Sequence, residues 1–123
     1  MAASNEHAFA DYLRDSRTAR AKADAAAFTL RQLARRVGIE PSYLSKIERG
    51  TQPPPGEGVI RRLAAELGED PDVLLALAGK VSADLQAIIR ARPQLFAQLL
   101  RELKKMPDHA VLRVAREVRD GKW

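Results

Sequence analysis

The sequence predicts an all-α protein. Apolar residues recur at helical spacing, no segment shows the two-residue alternation of a strand, and a glycine or proline interrupts the pattern about every ten to fifteen residues. A chain of 123 residues suits one compact domain, or one small domain with an appended second element, which leaves no room for a multi-domain enzyme. With 46% hydrophobic and only 5% aromatic residues, its core is modest.

The first helix is expected from about Glu6 to near Ala25, with Phe9, Leu13 and Tyr12 on its apolar face. Its last part, Ala21 to Ala27, has high helix propensity but little to bury, so it is either further helix or a soft connection. Thr29-Leu-Arg-Gln32 fits a capping box, in which Thr29 accepts from an early backbone N–H and Gln32 reaches back. A helix from Leu30 to Val37 then buries Leu33, Ala34 and Val37, and Gly38 stops it in the left-handed conformation. Ile39 drops toward the core.

Pro41 suits the first position of the next helix, where its missing N–H is no loss, and Glu40 becomes the cap, a carboxylate at the positive end of the helix dipole. Leu44 and Ile47 face inward, Tyr43 sits at the boundary, and Ser42, Ser45, Lys46 and Arg49 lie on other faces before Gly50. Gln52-Pro-Pro-Pro-Gly56 is a stiff, non-helical spacer. A fourth helix, Glu57 to Leu67, presents Val59, Ile60, Leu63, Ala64 and Leu67, and a fifth, Pro71 to Ala78, buries Val73, Leu74 and Leu77. Ser82 opens a helix carrying Leu85, Ile88 and Ile89, Pro93 opens another, and Pro107 the last. The segment from Lys80 to Trp123 is too small for a free-standing core and needs the first domain or a second chain to cover its stripes.

Charge is distributed unevenly around a net +5. Arg17 to Arg49 carries eight basic residues against three acids, Gly56 to Gly79 two against five, and Lys80 to Trp123 ten against five. Two basic regions flanking an acidic one suit a polyanionic partner, although solvated helix faces would look the same. The absence of cysteine removes disulfides and thiolate metal sites, and His7 and His109 have no ligand-like spacing. No signal-like start or membrane-length apolar run is present, so the expected location is cytoplasmic. There is no nucleophile–base pair, metal cluster or phosphate loop, so the expectation is a non-enzyme without a cofactor.

The helices Leu30 to Val37 and Pro41 to Arg49, joined through Gly38, have the form of a helix-turn-helix, in which the first helix braces the second and the second enters the major groove. The stretch LRQLARRVGIEPSYLSKIERGTQPPP resembles the Cro/CI-like, or XRE-family, DNA-binding domain, most clearly in LA..VGI..SYLSKIERG. The resemblance extends from about Phe9 through Gly79. It implies a five-helix DNA-binding domain, here residues 6–79, which the helical pattern above follows with about three C-terminal helices over 80–123.

Carried over by position, the resemblance assigns base readout to Glu40, Pro41, Ser42, Tyr43 and Lys46, and a structural ion pair to Arg17 and Glu48. Lys46 can donate to guanine, Ser42 to several base edges, and Glu40 can accept from cytosine. The N-terminal end of the bracing helix makes Thr29 and Arg31 candidates for phosphate contact, together with Arg49 and Thr51. The chain departs from the family at Leu30, where a glutamine is common, in the longer connection through AKADAAAF, and in the prolines after ERG.

Two half-sites about 34 Å apart call for a dimer. The candidate interface is Leu95, Phe96, Leu99, Leu100 and Leu103 with Val111, Leu112, Val114 and Val118, unless these pack onto the first five helices instead. The expected function is therefore a sequence-specific transcriptional regulator of double-stranded operator DNA, a homodimeric repressor reading a palindrome with helix 41–49. The alternative is an antitoxin-like or peptidase-controlled regulator whose C-terminal helices bind a partner protein.

Overall fold

The computed structural model describes residues 7–121, so Glu6 and Trp123 lie outside the described residues. Among the described residues there are eight helices and no strand. They fall into two compact units that part between Ser82 and Ala83.

The first unit contains α1 (Ala8–Ala23), α2 (Leu30–Val37), α3 (Pro41–Glu48), α4 (Glu57–Leu67) and α5 (Pro71–Leu77). The alanine-rich stretch divides: α1 runs to Ala23, Asp24 breaks it, and a turn follows in which the Asp24 carboxylate accepts from the Ala27 N–H at 3.2 Å. A short polar side chain that competes for the backbone ends a helix that alanine propensity alone would extend.

One core holds the five helices together, built from Phe9 and Leu13 of α1, Leu33, Ala34 and Val37 of α2, Leu44 and Ile47 of α3, the inner face of α4, and α5. Each fully buried Leu, Ile or Phe contributes about 1.5–3 kcal/mol of transfer free energy. Ile39 is half-buried against this cluster. In α5 the buried pair is Leu74 and Leu75, whereas Val73 is exposed and Leu77 half-buried. The seven-residue α5 is too short for periodicity to choose between neighbouring faces, and its packing against α4 and α1 decides the rotation.

Long-range polar contacts fix the helix ends. Arg62 Nε donates to the Val37 carbonyl at 2.8 Å, and Arg20 Nε to the Leu67 carbonyl at 2.9 Å, so a side chain from another helix covers the open C-terminus of each. Arg36 pairs with Glu66 at 2.6 Å while lying 5.0 Å from the Phe28 ring centroid. Tyr12 and Ser16 both donate to Glu69, at 2.7 and 2.9 Å, which ties α1 to the turn before α5.

The second unit contains α6 (Ala83–Ala91), α7 (Pro93–Lys104) and α8 (Asp108–Asp120). α6 packs on α7, and none of the three helices contains a buried residue. Pro107 is extended and precedes α8 as its cap instead of forming its first residue. Among the described residues no helix is long and apolar enough to cross a membrane.

Gly68 sits at φ 68°, and a Cβ there would strike the Arg20 guanidinium that caps α4. Gly68→Ala is expected to cost about 2 kcal/mol, read as a lower urea midpoint at unchanged slope. A pH effect comes from Tyr12. Its hydrogen bond to Glu69, helped by the charge of that carboxylate, raises the phenol above its ordinary value of 10.0. The bond contributes fully below pH 10.0 and is lost as pH rises through the higher folded value. In a Tyr43→Phe background the phenolate absorbance of Tyr12 should titrate above 10.0, and adding Glu69→Gln should bring it back down.

Candidate nucleic-acid interface

α2 begins where expected: Thr29 is extended, and its Oγ accepts from the Gln32 N–H at 3.1 Å. The Gln32 side chain does not return the bond, so only half of the capping box forms. Gly38 ends α2 at φ 87°, with the Gly38 and Ile39 N–H groups both donating to the Ala34 carbonyl at 2.8 and 3.0 Å. This left-handed turn sends the chain across α2, where the small Ala34 is fully buried. The next helix therefore packs close to α2.

α3 starts at Pro41 with Glu40 extended before it, and it ends at Glu48 with Arg49 as its cap. The Glu40 carboxylate is exposed and makes no capping hydrogen bond. Eight residues span about 12 Å. Leu44, Ile47 and Glu48 are buried, whereas Ser42, Lys46 and Arg49, spaced four and three apart, are exposed on the other side. Pro41 and Tyr43 are half-buried, and Tyr43 packs against the core.

The inward anchor is Glu48. Its two oxygens accept from Arg17 Nε at 2.7 Å and Nη2 at 2.9 Å, while Arg17 Nη1 donates to the Phe28 carbonyl at 3.1 Å. The side chains are 14% and 5% exposed, so the pair is largely withdrawn from water. Its hydrogen bonds to Glu48 raise the Arg17 pKa against the opposing pull of burial. Among the described residues no buried side-chain nitrogen or oxygen lacks a partner.

The post-helix loop closes on α3. Thr51 Oγ, the Thr51 N–H and the Gln52 N–H all donate to the Lys46 carbonyl, at 3.2, 3.0 and 3.3 Å. The Lys46 backbone is held while its ammonium stays exposed. Among the described residues Lys46, Arg49, Arg31 and Arg35 have no ion-pair partner. These four exposed cations are thus available to an external anion.

A profile of the helix-turn-helix domain matches residues 8–77, well over half of the chain. The chain belongs to that family, of the XRE/Cro-like type. No curated protein and no solved structure matches it. Membership in the helix-turn-helix family points to a DNA-binding regulator, and the match covers α1 to α5.

Within this helix-turn-helix domain, Ser42, Lys46, Arg49, Thr29, Thr51 and Arg31 all lie on exposed positions of α2, α3 and their flanking residues. Leu95, Leu99, Leu100, Leu112 and Val118 are exposed apolar residues of the second unit, whereas Phe96, Leu103, Val111 and Val114 are half-buried. Arg35 escaped the sequence reading. It stands one turn beyond Arg31, but only the partner of its neighbour Arg36, thirty residues away, separates the two arginines into one free and one engaged. Among the described residues no cluster of three or more His, Cys, Asp or Glu side chains is arranged to hold a metal.

Arg17→Met leaves Glu48 buried without its counter-charge and is expected to cost about 3–5 kcal/mol in chemical denaturation. Replacing both partners, Arg17→Met with Glu48→Leu, should recover much of that loss, because the uncompensated charge is gone. A double variant less stable than Arg17→Met would sink this account.

Proposed function

We propose that this protein is a sequence-specific transcriptional regulator of double-stranded DNA, a homodimeric repressor that reads a palindromic operator by placing α3 in the major groove. One observation carries this reading. α3 is anchored from within by Leu44, Ile47 and Glu48 and presents Ser42, Lys46 and Arg49 unpaired on its outer face.

The roles follow from donor chemistry. Lys46 donates to guanine O6 and N7, and Ser42 to an adjacent base edge. Glu40 accepts from cytosine N4 and repels phosphate, which disfavours indiscriminate binding. Pro41 offers only apolar contact, and Tyr43 braces the edge of the contact surface. Arg31, Arg49, Thr51 and the Thr29 end of α2 meet the phosphates. The domain over residues 6–79 reads DNA, while residues 80–123 join two copies.

The exposed stripes of α7 and α8 support the joining role, because α6, α7 and α8 bury no residue of their own. The same exposure favours a second reading, in which these helices bind a partner protein in an antitoxin-like or peptidase-controlled regulator. Two joined copies imply two half-sites, so a palindrome among selected sequences supports the joining role.

Selection of bound duplexes from a random pool should return a palindrome with half-sites about 34 Å apart. On it, Lys46→Ala with Ser42→Ala should lose about 1–3 kcal/mol per base contact and relax preference at one or two base pairs. Arg31→Ala should instead weaken all sequences alike and reduce the salt slope by about 1. Unaltered preference in the double variant removes α3 as the reading helix.

A further inference from the structure

We infer that the second unit is a second DNA-contacting element, in which Arg101 and Lys104 of α7 and Arg113 and Arg116 of α8 meet the phosphate backbone and supply a large share of the sequence-independent attraction for the duplex. The inference rests on the DNA-binding reading above and does not need a dimer.

Most of the net charge of the chain lies outside the unit that holds α3. Residues 1–82 hold twelve basic residues against eleven acids, and residues 83–123 hold nine against five, so four of the five net positive charges belong to the second unit. In the first unit the scaffold engages many of the cations. Arg17, Arg36 and Arg61 pair with carboxylates, and Arg20, Arg62 and Lys80 donate to backbone carbonyls, Lys80 to that of Pro55 at 2.8 Å. The second unit makes little such use of its own. Lys105 reaches Glu102 at 3.5 Å and Arg119 meets Asp120 at 2.9 Å, whereas Arg101, Lys104, Arg113 and Arg116 have no ion-pair partner among the described residues. All four are exposed.

Their placement is regular. Arg101 and Lys104 are three apart, as are Arg113 and Arg116, so each pair shares one helix face. On α7 that face turns away from Leu95, Leu99 and Leu103, and on α8 away from Val111, Val114 and Val118. Covering the apolar stripes therefore leaves the cations open. Solubility is served by charge of either sign, so it does not call for this one-sided excess.

A duplex carries one negative charge per about 1.7 Å of axis, and each phosphate that Lys or Arg neutralises releases condensed counterions. Phosphates repeat along the duplex and carry no sequence, so a unit tethered to a domain already on DNA meets them at high effective concentration without a set register. Basic amphipathic helices also suit an anionic lipid surface. The DNA reading of the first unit favours the duplex, because it brings that polyanion within the tether's reach. α3 then selects the site, while α7 and α8 hold the chain to it.

The full chain should be titrated between about 50 and 200 mM salt against a random-sequence duplex about three helical turns long and against the selected operator. Combining Arg101→Gln, Lys104→Gln, Arg113→Gln and Arg116→Gln should make the slope of log affinity against log salt shallower by about 3–4 per chain. It should also weaken all sequences alike, by about tenfold or more at the lowest salt. The two substitutions on either helix alone should produce about half of that change, and they serve if the quadruple variant fails to fold. Arg101→Lys with Arg113→Lys and Arg116→Lys keeps the charges and should keep the wild-type slope. The chain has no cysteine, so Ala97→Cys and His109→Cys, one turn before Arg101 and Arg113 on the same faces, can each carry a photo-crosslinker. Both should crosslink to the duplex well above Asp72→Cys on α5. Background crosslinking from both positions overturns the inference, as does a slope changed by less than about 1 in a folded quadruple variant. Wild-type binding to phosphatidylglycerol vesicles that the quadruple variant loses, with the DNA slope unchanged, overturns it in favour of a lipid surface. If wild type binds neither duplex, the DNA reading falls first.

Discussion

The orientation of α3 depends on a single withdrawn ion pair. Arg17 and Glu48 meet in two parallel hydrogen bonds, and the third arm of the guanidinium closes on the Phe28 carbonyl. Removing two charges from water is expensive, and the attraction between them offsets that cost only when the geometry is good and the remaining donors are occupied. Here both conditions hold. What the pair contributes is less net stability than uniqueness of arrangement: α3 cannot roll about its axis without leaving a carboxylate buried alone. Leu44 and Ile47 would tolerate a modest roll, because hydrophobic burial has no direction.

The other helices are secured at their ends, where backbone groups are open. Arg62 covers the end of α2, Arg20 the end of α4, and Thr29 the start of α2. The result separates two tasks. Arginines engaged with backbone carbonyls or with Glu48 and Glu66 hold the scaffold, whereas Arg31, Arg35, Lys46 and Arg49 stay unpaired. A strongly basic composition thus divides into cations already engaged and cations left free for a partner.

Much of this was legible in the sequence because the deciding signals are local. The capping threonine, the left-handed glycine and the helix-opening proline each act within a few residues, and they locate α2, the turn and α3 to within one residue at each end. The Leu30 to Leu67 region offered such punctuation at every boundary. The rotation of α5 did not, since seven residues give less than two full turns of evidence and Leu75 replaced Val73 in the core. The end of α1 was ambiguous because alanine favours helix while giving it nothing to bury. Long-range partners were invisible for a different reason. Nothing local marks Tyr12 for Glu69 or Lys80 for Pro55, whose separations in the chain are 57 and 25 residues. The Arg17–Glu48 pair could be anticipated only from the family resemblance.

The convergence on the Lys46 carbonyl has one more consequence. The bonds that close the loop behind α3 use the main chain of Lys46, and any amino acid at that position supplies the same carbonyl. Its side chain bears none of that structural burden. Position 46 can therefore be exchanged for almost any helix-compatible residue without disturbing the loop, and so can Ser42, which is exposed and uncommitted. Under the proposed role of Ser42 and Lys46 in base readout, drift or selection at these two sites would change the sequence recognised while the scaffold stays constant, so a lineage would acquire new targets in single substitutions.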